Sequence, residues 1–129
     1  VKYVESVPAK ADEYINQYVP GALTLVMKKS ERVPNWLSSN MDTIGIRVPK
    51  NDTFKALCDF IPGRVLATTS ANISGEKPAL TYEDVVKNYN LKVDYVVEDF
   101  GNKATGVAST VAGVFDDETV IFRQGKIKL

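Results

Sequence analysis

Val65-Leu66-Ala67-Thr68-Thr69-Ser70-Ala71-Asn72-Ile73-Ser74-Gly75-Glu76-Lys77 is the stretch on which the reading of this chain turns. Val65 to Thr69 has the β-branched character of a short strand, and Ser70 to Lys77 is a polar run of turn residues. Thr81 and Asp84 follow at near-capping-box spacing, ahead of a helix through Tyr89. Tyr95 to Val97 then resumes as a strand. The whole reads as one strand-loop-helix-strand crossover, the unit from which helix-covered sheets are assembled.

Outward from this unit the same alternation continues. Ser6 or Pro8 opens a helix in which Ala11, Tyr14, Ile15 and Tyr18 recur at helical spacing, and Pro20-Gly21 ends it. Leu23 to Lys28 reads as a strand and Pro34 to Asn40 as a turn or short helical segment. In Thr43 to Val48, a further strand, Ile44, Ile46 and Val48 alternate. Asp52 is expected to cap a helix carrying Phe54, Leu57, Cys58 and Ile61, stopped by Pro62-Gly63. After a flexible loop from Gly101 to Gly106, Ser109 to Val114 and Thr119 to Arg123 are strands joined at Asp116-Asp117-Glu118, and Lys126 to Leu129 is a terminal strand. The predicted fold class is mixed α/β: one domain over residues 1–129, with helices packed against a twisted mixed sheet.

The 129 residues suffice for one core. Acidic and basic side chains balance at 16 each, so no global field draws the protein to nucleic acid or to a membrane surface. Cys58 has no cysteine to pair with, which fits a reduced, cytoplasmic setting. No apolar run approaches the length of a membrane span. With no histidine in the chain, a Ser-His-Asp triad, a Cys-His pair and a histidine-metal cluster are all excluded.

Where Val65 to Thr69 releases into its loop, Thr68, Ser70, Asn72 and Gly75 bring hydroxyls, an amide and a small residue to the place where ligands bind in open α/β sheets. Two readings stand: a phosphate-binding loop, or a Ser/Asn turn that satisfies its own backbone. The lysine and glycine spacing is not that of a Walker loop. Arg47 and Arg123 each end a strand, where a planar guanidinium can clamp a carboxylate or phosphate, a surface ion pair being the alternative. Ser109-Thr110 offers two hydroxyls or is β-branched strand filler. Trp36 and Cys58 are assigned to the core or to partial burial, and Lys28-Lys29 with Glu31-Arg32 to a solvated turn.

Five segments, in this order, resemble the YrdC family of threonylcarbamoyl-AMP synthases, which serve tRNA threonylcarbamoyladenosine formation. They are Pro20-Gly21-Ala22-Leu23-Thr24, Thr43-Ile44-Gly45-Ile46-Arg47-Val48-Pro49, Thr69-Ser70-Ala71-Asn72-Ile73-Ser74-Gly75, Ser109-Thr110-Val111 and Arg123-Gln124-Gly125. The resemblance implies a YrdC-like fold and a nucleotidyltransferase that makes threonylcarbamoyl-AMP and pyrophosphate from L-threonine, bicarbonate and ATP, with Mg2+ assisting. It implies that Arg47 holds the threonine carboxylate, with Thr68 and Ser109 lining that pocket. Thr43, Ser70, Asn72 and Arg123 would contact the nucleotide, Arg123 at phosphate. No side chain is assigned as a catalytic acid or base, none as a metal ligand, and Thr24 receives no ligand role.

Family members also carry a Thr-Tyr-Gly-Leu-like strand and a Lys-x-Arg motif ahead of the region matched here. Neither lies upstream of Val1, and Lys2 has no arginine at the required spacing. The chain is thus expected to be the C-terminal portion of the full domain, its N-terminal strands missing. The implied partners are ATP, L-threonine, bicarbonate and the proteins that transfer threonylcarbamoyl to tRNA, with no membrane. The alternatives are a YrdC-like protein that binds tRNA or other double-stranded RNA, a carbamoyl-adenylating paralogue with a different acceptor, and a non-catalytic remnant.

Overall fold

The computed structural model describes residues 2–129. Its internal packing divides into two units, residues up to 67 with 108–129, and residues 68–107. The first unit holds a four-stranded sheet of β1 (Leu23–Lys28), β2 (Thr43–Arg47), β3 (Thr110–Phe115) and β4 (Glu118–Arg123), in the order β2-β1-β3-β4. β1 runs parallel to β3 and antiparallel to β2, while β3 and β4 form an antiparallel hairpin. The sheet is therefore mixed, as expected. Among the described residues no helix is long and apolar enough to cross a membrane.

One face of this sheet is closed by α1 (Ala9–Tyr18). Period-two alternation in β1 turns Leu23, Leu25 and Met27 to one side. There they meet Ala112 and Val114 of β3, with Ala11 and Tyr14 of the helix. Ile44 and Ile46 of β2 pack against the same cluster. Full burial of a leucine of this kind contributes about 1.5–3 kcal/mol. Pro8 precedes α1 and offers no capping side chain. Instead the Lys10 amide donates to Asp117 Oδ1 at 3.1 Å, so the β3–β4 turn supplies the cap. Tyr14 Oη and Thr119 Oγ1, 2.9 Å apart, fasten the helix to β4.

The end of the chain is held through Thr110, which is fully buried. Its hydroxyl donates to the Ile127 carbonyl and accepts from the amides of Gly125 at 3.1 Å and Ile127 at 3.2 Å. One donor and two lone pairs are thereby all used. Residue 125 must be glycine, because a Cβ there would collide with the backbone of Ala108 to Thr110. Lys126 to Leu129 consequently lies along the start of β3, but it forms no strand, contrary to the sequence expectation. Its attachment runs through the side chains of Thr110, Tyr18 and Gln124 and the Lys126–Ala108 backbone bond, not through a ladder.

Other expectations also change. Val65 to Thr69 and Tyr95 to Val97 are not strands. Val65 remains 44% exposed, and β-branched composition makes a strand only where a neighbour completes the ladder. The expected crossover is thus reduced to its helix, α3 (Tyr82–Tyr89), in the second unit. Thr81 does cap that helix, accepting from the Asp84 amide at 3.1 Å. In the first unit α2 (Asp52–Asp59) is capped by Asn51, not Asp52, through a 2.8 Å bond from the Phe54 amide. No residue of α2 is buried, and Cys58 is half-buried. Trp36, assigned to core or partial burial, is 79% exposed on the turn between β1 and β2. Lys29, read as solvated, ties that turn by donating to Val33 O and Asn35 Oδ1.

Two predictions follow from these contacts. Thr110→Val, which keeps the shape and removes the hydroxyl, lowers stability by about 1–3 kcal/mol in urea denaturation and speeds hydrogen exchange at the Gly125 and Ile127 amides. Unchanged exchange there would mean that the tail is held otherwise. Asp59, at the end of α2, is hydrogen-bonded by Lys55 and Arg64, which hold its carboxyl below the ordinary 3.8. Its stabilising contribution is present above the ordinary carboxylate range and is lost as pH falls through the depressed folded value. An NMR titration should give Asp59 a midpoint under 3.8 that rises in Arg64→Gln; a midpoint indifferent to that change rules out the pairing.

Candidate functional site

The sheet face opposite α1 is where the sequence-predicted polar residues of the first unit collect. Because Leu23 and Leu25 turn inward, Thr24 turns outward. Thr24 stands opposite Arg47 on β2 and Val111 on β3, and Val111 in turn stands opposite Arg123 on β4. Cross-strand partners share a face, so Arg47, Thr24, Val111 and Arg123 form one row across all four strands. A β-bulge between Val111 and Ala112 shifts the register where Arg123 meets β3.

Within this row the side chains are connected. Arg123 donates from Nε to the Ser109 carbonyl and from Nη2 to Ser109 Oγ, each at 3.0 Å. Ser109 Oγ lies 3.3 Å from Thr24 Oγ1. Ser109 is only 7% exposed, whereas Arg123 is exposed, so a buried hydroxyl fixes a guanidinium that faces solvent. Arg47 is anchored differently: its Nε donates to the Gly21 carbonyl at 3.2 Å, while the Gly21 amide donates to Val48 O at 2.8 Å. The Pro20-Gly21 turn thereby orients the arginine at the end of β2. Two fixed cations with two hydroxyls between them make a binding surface for a carboxylate or phosphate.

Thr43 does not join this group. It shares the face but pairs with Lys28, four residues along β1 from Thr24, a separation of about 13 Å. Thr68, Ser70 and Asn72 all belong to the second unit, where Thr68 and Ser70 are exposed. Asn72 Nδ2 donates to the carbonyls of Ile73 and Glu76, both at 3.1 Å, and the Glu76 amide donates to Ile73 O. The loop therefore satisfies its own backbone, one of the two readings its composition allowed. Asn72 Oδ1 is enclosed without a partner among the described residues. Gly75 takes φ +84° at the tip, a conformation that suits glycine.

Thr24 is the residue whose place in the site the sequence did not disclose. Its outward position was legible from the alternation with Leu23 and Leu25. Its link to Ser109, 85 residues later, depends on strand pairing that local pattern does not encode.

The chain is similar to known proteins along nearly its whole length. Threonylcarbamoyl-AMP synthase of Pyrococcus abyssi is 31% identical over 125 residues, which are 97% of this chain and 36% of that protein. A relative from Methanocaldococcus jannaschii is 35% identical over 119 residues, 92% of this chain and 54% of its own. The crystal structure of Pyrococcus abyssi Sua5 complexed with L-threonine superposes with a TM-score of 0.86 at 30% identity, covering 96% of this chain and 36% of that one. The chain thus spans about half, or less, of the length of the relatives it matches. The family model described as telomere recombination, that of the Sua5/YciO/YrdC domain, matches residues 1–125, and the chain belongs to that family.

Proposed function

We propose that this chain forms part of an L-threonylcarbamoyladenylate synthase, acting in the cytoplasm on behalf of tRNA threonylcarbamoyladenosine formation. The observation that carries this reading is the gathering of Arg47, Thr24, Ser109 and Arg123 on one open sheet face, in a chain whose relatives bear that enzyme's name. A reaction between a carboxylate-bearing amine, bicarbonate and a nucleoside triphosphate brings several negative groups together, and fixed guanidinium and hydroxyl donors answer that need.

In this reading the threonine amine attacks the carbon of bicarbonate, and as the new C–N bond forms the C–OH bond breaks and water leaves, giving a carbamate. A carbamate oxygen attacks the α-phosphorus of ATP, the bond from that phosphorus to the bridging oxygen breaks, and pyrophosphate leaves. Arg47 holds the threonine carboxylate, and Ser109 hydrogen-bonds the amino acid. Arg123 neutralises phosphate charge. The cationic and hydroxyl donors of the sheet face suit anions, so Mg2+ enters this reading bound to the ATP phosphates, where it supplies charge neutralisation. No side chain here is asked to act as a strong general base.

Calorimetric titration with ATP and L-threonine, in the presence of magnesium and bicarbonate, tests the proposal. Threonine-enhanced ATP binding is the expected result, and nucleotide binding indifferent to threonine would refute it. Arg123→Ala should weaken ATP by about 10- to 100-fold, the scale of a lost charge-assisted hydrogen bond. Arg47→Ala should weaken L-threonine by a similar factor. Arg47→Lys should recover little of that loss, since an ammonium cannot reproduce the bidentate fork. A binding isotherm for RNA that collapses with added salt, with no response to threonine, would instead support the nucleic-acid alternative.

A further inference from the structure

Thr24 bonds to a residue in the candidate site and has no role in the reaction just outlined. We propose that Thr24 is a positioning residue that fixes the Ser109 hydroxyl as a hydrogen-bond donor toward the amino-acid carboxylate; this rests on the synthase reading above.

The case begins with a count of protons. Arg123 can only donate, so its bond to Ser109 Oγ occupies one lone pair of that oxygen. Ser109 keeps one lone pair and its own proton. If Thr24 donates across the 3.3 Å contact, the second lone pair is filled and the Ser109 proton is left for a ligand. If Ser109 donates instead, it meets the ligand as an acceptor. The surroundings decide between these states. Arg47 stands across from Thr24 on one side, and Arg123 bonds Ser109 on the other. Between two guanidiniums the favoured guest is an anion, and an anion requires the donor state.

Thr24 is built to hold that orientation. A Cβ placed on Gly45 would lie 3.3 Å from Thr24 Cγ2, so the threonine methyl rests close over bare glycine backbone on β2. Its hydroxyl is directed the other way, to Ser109 just ahead of β3. A β-branched side chain is stiff at χ1, and packing on one branch fixes the direction of the other. Valine would keep the packing and lose the proton, while serine would keep the proton and lose the packing.

Equilibrium titrations of the protein with L-threonine and separately with ATP and magnesium, on the parent, Thr24→Val and Thr24→Ser, test this. Thr24→Val is expected to weaken L-threonine about tenfold and to leave ATP within about twofold of the parent. Thr24→Ser is expected to bind L-threonine within about threefold of the parent. Equal weakening of both ligands in Thr24→Val, with serine no better, would make Thr24 a packing residue and overturn the proposal. So would a parent that binds L-threonine and a valine variant that binds it equally well. A parent that does not bind L-threonine at all would overturn the synthase reading itself, and this inference with it.

Discussion

The parallel pairing of β1 with β3 is the contact on which the first unit depends. It aligns Leu23 with Thr110 and Leu25 with Ala112, so the inward residues of both strands reach α1 in one layer. The same register brings Thr24 beside Ser109 on the opposite face. Since β2 and β4 each attach to one member of this pair, the pairing also determines how far apart Arg47 and Arg123 stand. A slip of one residue between β1 and β3 would send Thr24 to the core and Leu23 to solvent. Core and candidate site are therefore two consequences of a single register.

Polar contacts on both sides of the sheet support that register. Asp117, in the turn of the β3–β4 hairpin, satisfies an amide at the start of α1. Thr110 spends its hydroxyl on the end of the chain. The neighbouring Ser109 spends its own on Arg123 and Thr24. Two adjacent residues at the start of β3 thus divide the work, one hydroxyl closing the fold and the other on the side of the candidate site.

The legible part of the fold was the part governed by local periodicity. β1, β2, the late hairpin and α1 each announce themselves through alternating or helical spacing, and Thr81 through its capping geometry. The strands expected at Val65 to Thr69 and Tyr95 to Val97 failed because propensity says nothing about whether a partner is at hand. In the site, the strand-end positions of Arg47 and Arg123 could be read directly, and the outward Thr24 by alternation. Their assembly into one row could not, because Ser109 and Thr24 meet only through tertiary pairing. The cap of α1 was hidden for the same reason, its acceptor lying 107 residues away.

The interruption of the first unit by residues 68–107 bears on synthesis. Thr24 leaves the ribosome 85 residues ahead of Ser109, an interval of roughly 4–17 s at ordinary translation rates of about 5–20 residues per second. During that time β1 can pair with β2, but its other edge and the apolar side of Leu23, Leu25 and Met27 lack the strand that completes them. The nascent chain therefore carries an open strand edge next to sticky side chains until β3 emerges. The architecture that joins two distant hydroxyls in the finished protein thus leaves a strand edge open while the chain is still being made.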